Sequence, residues 1–355
     1  MPVAVERGER PVQHAGDCSE PDHRRCGAPD GESGKLRRVT APHFDNRITR
    51  LLGVEVPIAN SPMGFVAKPN LVAAVAEAGG IALVPGSIGI AGAQEDIKRV
   101  RDLTDRPFGV NLPIAFVRDA SIADMLVAEE IPFVTTSAGS PFAFTPVLKE
   151  AGMTVLHVVT SLDTAKEAVD AGVDGLVVEG IEGAGLKGQA EVASSVLLPL
   201  LARRIGLPMI AAGGISDGVS MAAAFLLGAE GVQMGTRMVA SVEANVHDGL
   251  KQAILGASET DTVLVNRHNG RPMRVLRTAT TAELEFASEG DPMRDLLMNT
   301  VVTYTEGIVE NSLPSVGQVA GRIDSLLPVS EIIRQTVDEF GAVLRQAADQ
   351  YLGKR

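Results

Sequence analysis

From Asn46 onward, short apolar runs alternate with longer stretches whose apolar residues recur every three or four positions. The short runs are PIANSPMG (57–64), IALVPGS (81–87), FGVNLPI (108–114), PFVTTSAGSP (132–141), TVLHVVTS (154–161), GLVVEG (175–180), MIAA (209–212) and EGVQM (230–234). They read as strands. The stretches between them, such as AQEDIKRVRDLT, LDTAKEAVDAG and SDGVSMAAAFLLG, read as helices with one apolar face and a glycine or polar stop. Strands that are apolar on both faces belong to a parallel sheet covered by helices. Eight such strands fit a closed (β/α)8 TIM barrel; an open doubly wound sheet is the alternative.

Either topology puts ligands at the carboxyl ends of the strands. The residues there are Pro62, Met63 and Gly64, then Ser87, Asn111, Ser137, Ser140, Ser161, Glu179 and Gly180. Gly213, Gly214, Gly235 and Thr236 follow the last two strands. In a barrel, the loops after strands seven and eight commonly bind phosphate through backbone N–H groups, and glycine lets the ligand approach the chain. The Gly213–Gly214 and Gly235–Thr236 turns therefore predict a phosphate site. Ser137 and Ser140 stand where a substrate would lie.

The barrel is expected over residues 39–240. Residues 241–325 predict a mostly helical excursion, a lid over the mouth, with a hairpin turn at Asn269-Gly270. Residues 326–355 predict a long amphipathic helix packed on the barrel. Residues 1–38 are polar, rich in Gly, Pro and charge, and predict a disordered tail without a secretory h-region.

Composition narrows the function. The 355 residues carry a formal net charge of -12, which argues against nucleic-acid or anionic-membrane partners. No apolar run is long enough to span a bilayer. Both cysteines, Cys18 and Cys26, lie in the tail, which suits a reducing cytoplasm. Together with His23 they match no common zinc spacing, so no metal is expected. A homodimer is the one protein partnership this reading admits.

PIANSPMG, FGVNL, VVEGIEGAGLKG, MIAAGGISDG, VQMGTR and SVGQVAG, in this order, resemble the nitronate monooxygenase family (formerly 2-nitropropane dioxygenases). That group also includes flavin-dependent enoyl-ACP reductases. The resemblance spans roughly residues 45–340 and implies an FMN-bound TIM barrel. Its phosphate-binding positions fall on Ala212, Gly213, Gly214, Gly235 and Thr236. Its flavin-ring contacts fall on Pro62, Met63, Gly64, Asn111 and Glu179. Gly185 and Met234, within the same motifs, are counted with this set.

The chain departs from the family in the loop after strand six. The family's Gly-Gly-His-x-Gly carries a histidine that serves as base or proton donor; here Leu186 occupies that position, lining the expected substrate site. Two residues become candidates for the proton role: adjacent Lys187, and His157, the single histidine on an expected barrel strand, if it faces the barrel interior. A core histidine is the competing reading of His157, and a tyrosine is a further candidate donor. Gly183, Gly185 and Gly188 form G-x-G-x-x-G, but no acidic residue follows at the end of the next strand, against a dinucleotide fingerprint. The resulting expectation is an FMN-dependent oxidoreductase that oxidises a nitronate or related small molecule with dioxygen. NAD(P)H-dependent reduction of an activated C=C bond, or flavin binding without turnover, are the alternatives.

Overall fold

The computed structural model describes residues 42–353. The expected disordered tail, with Cys18, His23 and Cys26, lies outside the described residues. Strands β1 (Ile58–Asn60), β2 (Ala82–Pro85), β3 (Phe108–Pro113), β4 (Phe133–Ser137), β5 (Thr154–Val159) and β6 (Gly175–Glu179) come first. A two-residue strand, β7 (Gly185–Leu186), precedes β8 (Met209–Ala212) and β9 (Gly231–Met234). Eight of these pair in parallel in the order β1-β9-β8-β6-β5-β4-β3-β2. A parallel bridge between Ala59 and Ile81 joins the two ends of that sheet. The barrel is thus closed, and the open-sheet alternative fails at this bridge.

Alternation along each strand separates two cores. Leu83, Phe133, Leu156, Val177 and Ile210 fill the barrel axis. A short helix ahead of the barrel, α1 (Arg47–Leu52), adds Ile48 and Leu52 to that inner cluster. Asn46 caps it, accepting from the Thr49 N–H at 2.9 Å, and Gly53 ends it in the left-handed region. The other strand faces, including Val110, Val134, Val155, Val178 and Val232, pack outward with the surrounding helices. Those helices are α2 (Pro69–Glu77), α3 (Ile90–Arg101), α4 (Ile122–Ala128), α5 (Thr145–Glu150), α6 (Leu162–Asp170), α7 (Ser194–Ala202) and α8 (Gly218–Leu226).

Beyond β9 the chain forms α9 (Thr236–Val239), α10 (Asp248–Leu255), a hairpin of β10 (Thr262–Val265) and β11 (Met273–Leu276), α11 (Ala279–Leu284) and α12 (Pro292–Glu306). The hairpin is not self-contained. Its second strand pairs antiparallel with β7, Met273 against Leu186 and Arg274 against Gly185. The last helix, α13 (Val329–Leu352), lies along α8 and α2. Phe340 meets Phe225 and Phe44 there, with ring centroids 5.1 and 5.5 Å away.

The seam between β1 and β2 depends on a side chain. Strand β1 meets the β2 side at the Ala59–Ile81 bridge, without a continuous ladder. Asn60, wholly buried, completes it: its Oδ1 accepts from the Leu83 N–H at 2.9 Å and its Nδ2 donates to the Leu83 carbonyl at 3.0 Å. Asn60→Ala should strand both backbone groups of Leu83, at about 1–3 kcal/mol each. A clear fall in the urea midpoint is expected; an unchanged midpoint would show that the seam does not need this amide.

Candidate functional site

Backbone geometry makes the site. At the carboxyl ends of β8 and β9 the chain turns through Gly213 (φ +86°), Gly214 (φ +78°) and Gly235. A Cβ on Gly213 would sit 3.0 Å from both the Gly180 carbonyl and the Gly183 nitrogen, so only glycine lets the two loops approach. None of the N–H groups of Gly214, Ile215, Gly235 and Thr236 donates to a carbonyl among the described residues. Unpaired N–H groups facing a cavity are a natural seat for an anion.

That cavity measures about 220 Å³. Its wall brings together Met63, Gly64, Glu179, Gly185, Ala212, Gly213, Gly214, Gly235 and Thr236, nine residues named from the sequence. The excursion supplies the remaining side. The Gly317 N–H donates to Thr236 Oγ1 at 2.9 Å, and the Gln318 N–H to the Glu182 carbonyl at 3.0 Å. Gly317 lies so close to the loop after β6 that a Cβ would meet the Glu182 carbonyl at 3.0 Å. Arg274, buried on β11, donates through Nε to the Ile181 carbonyl at 2.9 Å. Burial lowers its pKa, partly offset by nearby Glu182.

Both carboxylates on the wall are engaged. Glu179 forms an ion pair with Lys187, whose side chain is almost wholly buried. Glu182 accepts from the Ser194 hydroxyl at 2.7 Å and the Ser194 N–H at 3.0 Å. Lys187 therefore sits beneath the loop as a counter-ion and does not line the cavity. Tyr304, on α12, does line it. Its ring stacks on Phe65 with centroids 5.8 Å apart and planes 21° apart. Burial raises the pKa of its hydroxyl, against the opposing effect of hydrogen bonds from Ser315.

Other candidates fall elsewhere. Asn111 is buried on the inner face, where Nδ2 donates to Thr135 Oγ1 at 2.9 Å and the Thr135 carbonyl at 3.1 Å. Ser137 closes β4 beside it and Ser140 lies in the following turn; neither lines this cavity. Pro62 belongs to the Met63–Gly64 turn but is not on the wall, and Leu186 lies in β7 opposite Met273. Met234 is wholly buried in the outer core, so the strand's alternation turns its side chain away from the cavity.

His157 does not face the barrel interior. It shares the outward side of β5 with Val155 and Val159, which belong to the outer core, while Leu156 points inward. Its Nδ1 lies 2.6 Å from Thr136 Oγ1 on the neighbouring strand. Burial pushes its pKa down to about 4. It is a core histidine, and the proton role proposed for it on sequence grounds is withdrawn. Residues the sequence reading missed include Ser61 and Gln233, inward positions at strand ends, and Tyr304, Ser315 and Gly317 from the excursion.

The nitronate monooxygenase family model matches residues 45–132 and 115–339. The chain belongs to the nitronate monooxygenase family. Its members are oxidoreductases and flavoproteins, generally FMN-dependent. A nitronate monooxygenase of Paraburkholderia phytofirmans is 30% identical over 358 residues, covering 84% of this chain and 95% of its own. A (3aS,4S,5R,7aS)-5-hydroxy-7a-methyl-1-oxo-octahydro-1H-indene-4-carboxyl-CoA dehydrogenase of Rhodococcus jostii is 36% identical over 245 residues, 68% of each chain. The structure of FabK from Thermotoga maritima aligns with a TM-score of 0.82 and 39% identity, covering 86% of this chain and 99% of that one. The family resemblance and the barrel read from the sequence are both correct. No helix among the described residues is long and apolar enough to cross a membrane.

The histidine gives a measurable consequence in this family member. Its pKa falls from 6.5 in the unfolded chain to about 4 in the fold, so the unfolded state binds more protons between those values. Stability should drop as pH falls from 6.5 towards 4, by up to about 1.4 kcal/mol per pH unit from this group. His157→Gln should remove that share of the slope in urea unfolding at pH 4 to 7. Parallel pH profiles for parent and variant would contradict a neutral buried imidazole.

Proposed function

We propose that the protein binds FMN at the two glycine turns and oxidises a nitronate, with dioxygen as the electron acceptor. The observation carrying this reading is the set of unpaired N–H groups at Gly214, Ile215, Gly235 and Thr236, opening onto one cavity. The fit to a phosphate is steric as well as electrostatic, because Gly213 and Gly214 leave the turn without side chains. The Met63–Gly64 turn, Glu179 and Gly185 would hold the ring system. When bound, FMN supplies the two-electron acceptor that no side chain here can replace.

The chain's own residues set the substrate class. Leu186 stands where the family pattern has its histidine, and it cannot move a proton. Glu179 is tied to Lys187 and Glu182 to Ser194, so neither carboxylate is presented as a free base. A nitronate arrives already deprotonated and needs no base. A neutral nitroalkane must first lose a proton, and general acid–base groups typically contribute ~100- to 10,000-fold in rate. A second reading, NAD(P)H-dependent reduction of an activated C=C bond, is favoured by the Tyr304 hydroxyl on the cavity wall, a donor such a reaction could use.

Mass spectrometry of the released chromophore should find FMN, and Gly213→Val should lose it while remaining folded. Recovery of FAD, or of no flavin after supplementation, would overturn the cofactor assignment. Turnover of a pre-formed nitronate should exceed that of its neutral nitroalkane by at least ~100-fold. Reduction of an enone with NADPH, without nitronate oxidation, would transfer the assignment to the second reading.

A further inference from the structure

Lys187 follows β7 and carries its charge into the protein. Its N–H donates to the Pro272 carbonyl at 2.8 Å, which extends the loop's pairing with the excursion by one residue. The lysine side chain is only 1% exposed, and its ammonium meets Glu179 Oε1 at the end of β6. Glu179 stays 22% exposed. It borders the large cavity, whereas Lys187 does not. Behind the loop, both residues share with Thr160 and Glu191 a space of about 10 Å³, room for no more than a single water. Gly183 packs against the pair: a Cβ there would sit 2.9 Å from Lys187 Nζ and 3.3 Å from Glu179 Oε1.

Stability alone does not account for this pair. Enclosing two charges is costly, and apolar residues of similar volume commonly serve a fold as well or better. The ammonium has several donors, yet Glu179 is its one acceptor among the described residues. The other charged groups nearby are spent. Glu191 pairs with Arg267 at 2.8 Å, and Glu182 accepts from Ser194 at 2.7 Å. Arg274 donates to the Ile181 carbonyl and to Thr262 Oγ1. Lys187 therefore acts on Glu179, and it takes one carboxylate oxygen. The other, Oε2, accepts no hydrogen bond among the described residues, and the cavity is the side of Glu179 that Lys187 leaves open.

We propose that Lys187 is a positioning residue: it holds Glu179 ionised from behind and leaves Oε2 as an acceptor for a neutral donor, an N–H or O–H of the bound flavin. This rests on the cavity being the flavin site. An ionised acceptor at this point also turns away anionic oxygens, so the wall at Glu179 selects donors.

The test is titration of the flavin-free full chain with FMN, read by quenching of flavin fluorescence. Lys187→Met keeps the length of the side chain and removes the charge. An enclosed carboxyl without its counter-ion takes up a proton more readily, and once protonated it no longer presents an anionic acceptor. The ratio of the variant's Kd to the parent's should therefore grow about tenfold between about pH 8.5 and about pH 5.5. In the double variant Lys187→Met with Glu179→Gln, no ionisable group remains in the pair, and the ratio should stay flat. That variant carries no charge in the pair and should melt no lower than the parent. It should bind FMN about five- to tenfold more weakly, the difference between a charged and a neutral acceptor. A pH-independent ratio for Lys187→Met would reduce Lys187 to a support for the loop and overturn the proposal. So would parental FMN affinity in the double variant, an outcome that stays readable if the single variant does not fold. FMN methylated at its ring N–H identifies the donor: the pH effect should vanish with it if that N–H is held, and persist if a ribityl hydroxyl is. A parent that binds no FMN refutes the site assignment itself; a parent that binds FMN, with a flat ratio in Lys187→Met, refutes this role alone.

Discussion

The site depends on the antiparallel pairing of Gly185–Leu186 with Met273–Arg274. A loop at the end of a barrel strand has no ladder of its own, and its backbone groups must find partners elsewhere or remain mobile. Here the C-terminal excursion provides them. Strand β11 extends along the loop, Arg274 takes the Ile181 carbonyl, and Gln318 takes the Glu182 carbonyl. Once that loop is fixed, Glu179 and Lys187 close beneath it as an ion pair, and the glycine turns after β8 and β9 face a defined wall. Breaking such a pair from one side is strongly destabilising, commonly by about 3–5 kcal/mol. The loop is therefore held by backbone pairing above and by charge below.

The barrel was legible because its signals are local. Apolar runs of strand length, helical spacing between them and glycine stops are written in consecutive residues. The glycine turns were legible for the same reason, and Gly213, Gly214, Gly235 and Thr236 do share one wall. Side-chain direction was less accessible. His157 and Met234 lie in fully apolar strands, where both faces are buried and no alternation of polarity marks inside from outside. The register and the two cores decide it: both side chains go outward.

What the sequence did not disclose is contact between distant segments. Nothing local in VVTYTEGIVENSLPSVG marks Tyr304 as a neighbour of Phe65, more than two hundred residues earlier, or Ser315 as a neighbour of Gly185. The hairpin was readable from Asn269-Gly270, but its pairing with a two-residue strand in the barrel was not. Asn60 is a similar case. Its amide is spent on the backbone of Leu83, a partner that nothing local in PIANSPMG marks.

The inner core has a consequence for traffic. Phe133, Leu156 and Ile210 fill the axis, and α1 adds Ile48 and Leu52 to the same cluster. With the axis packed solid, the barrel's centre offers small molecules no passage to the cavity. A fold of this kind leaves arrivals and departures to the loops at the strand ends.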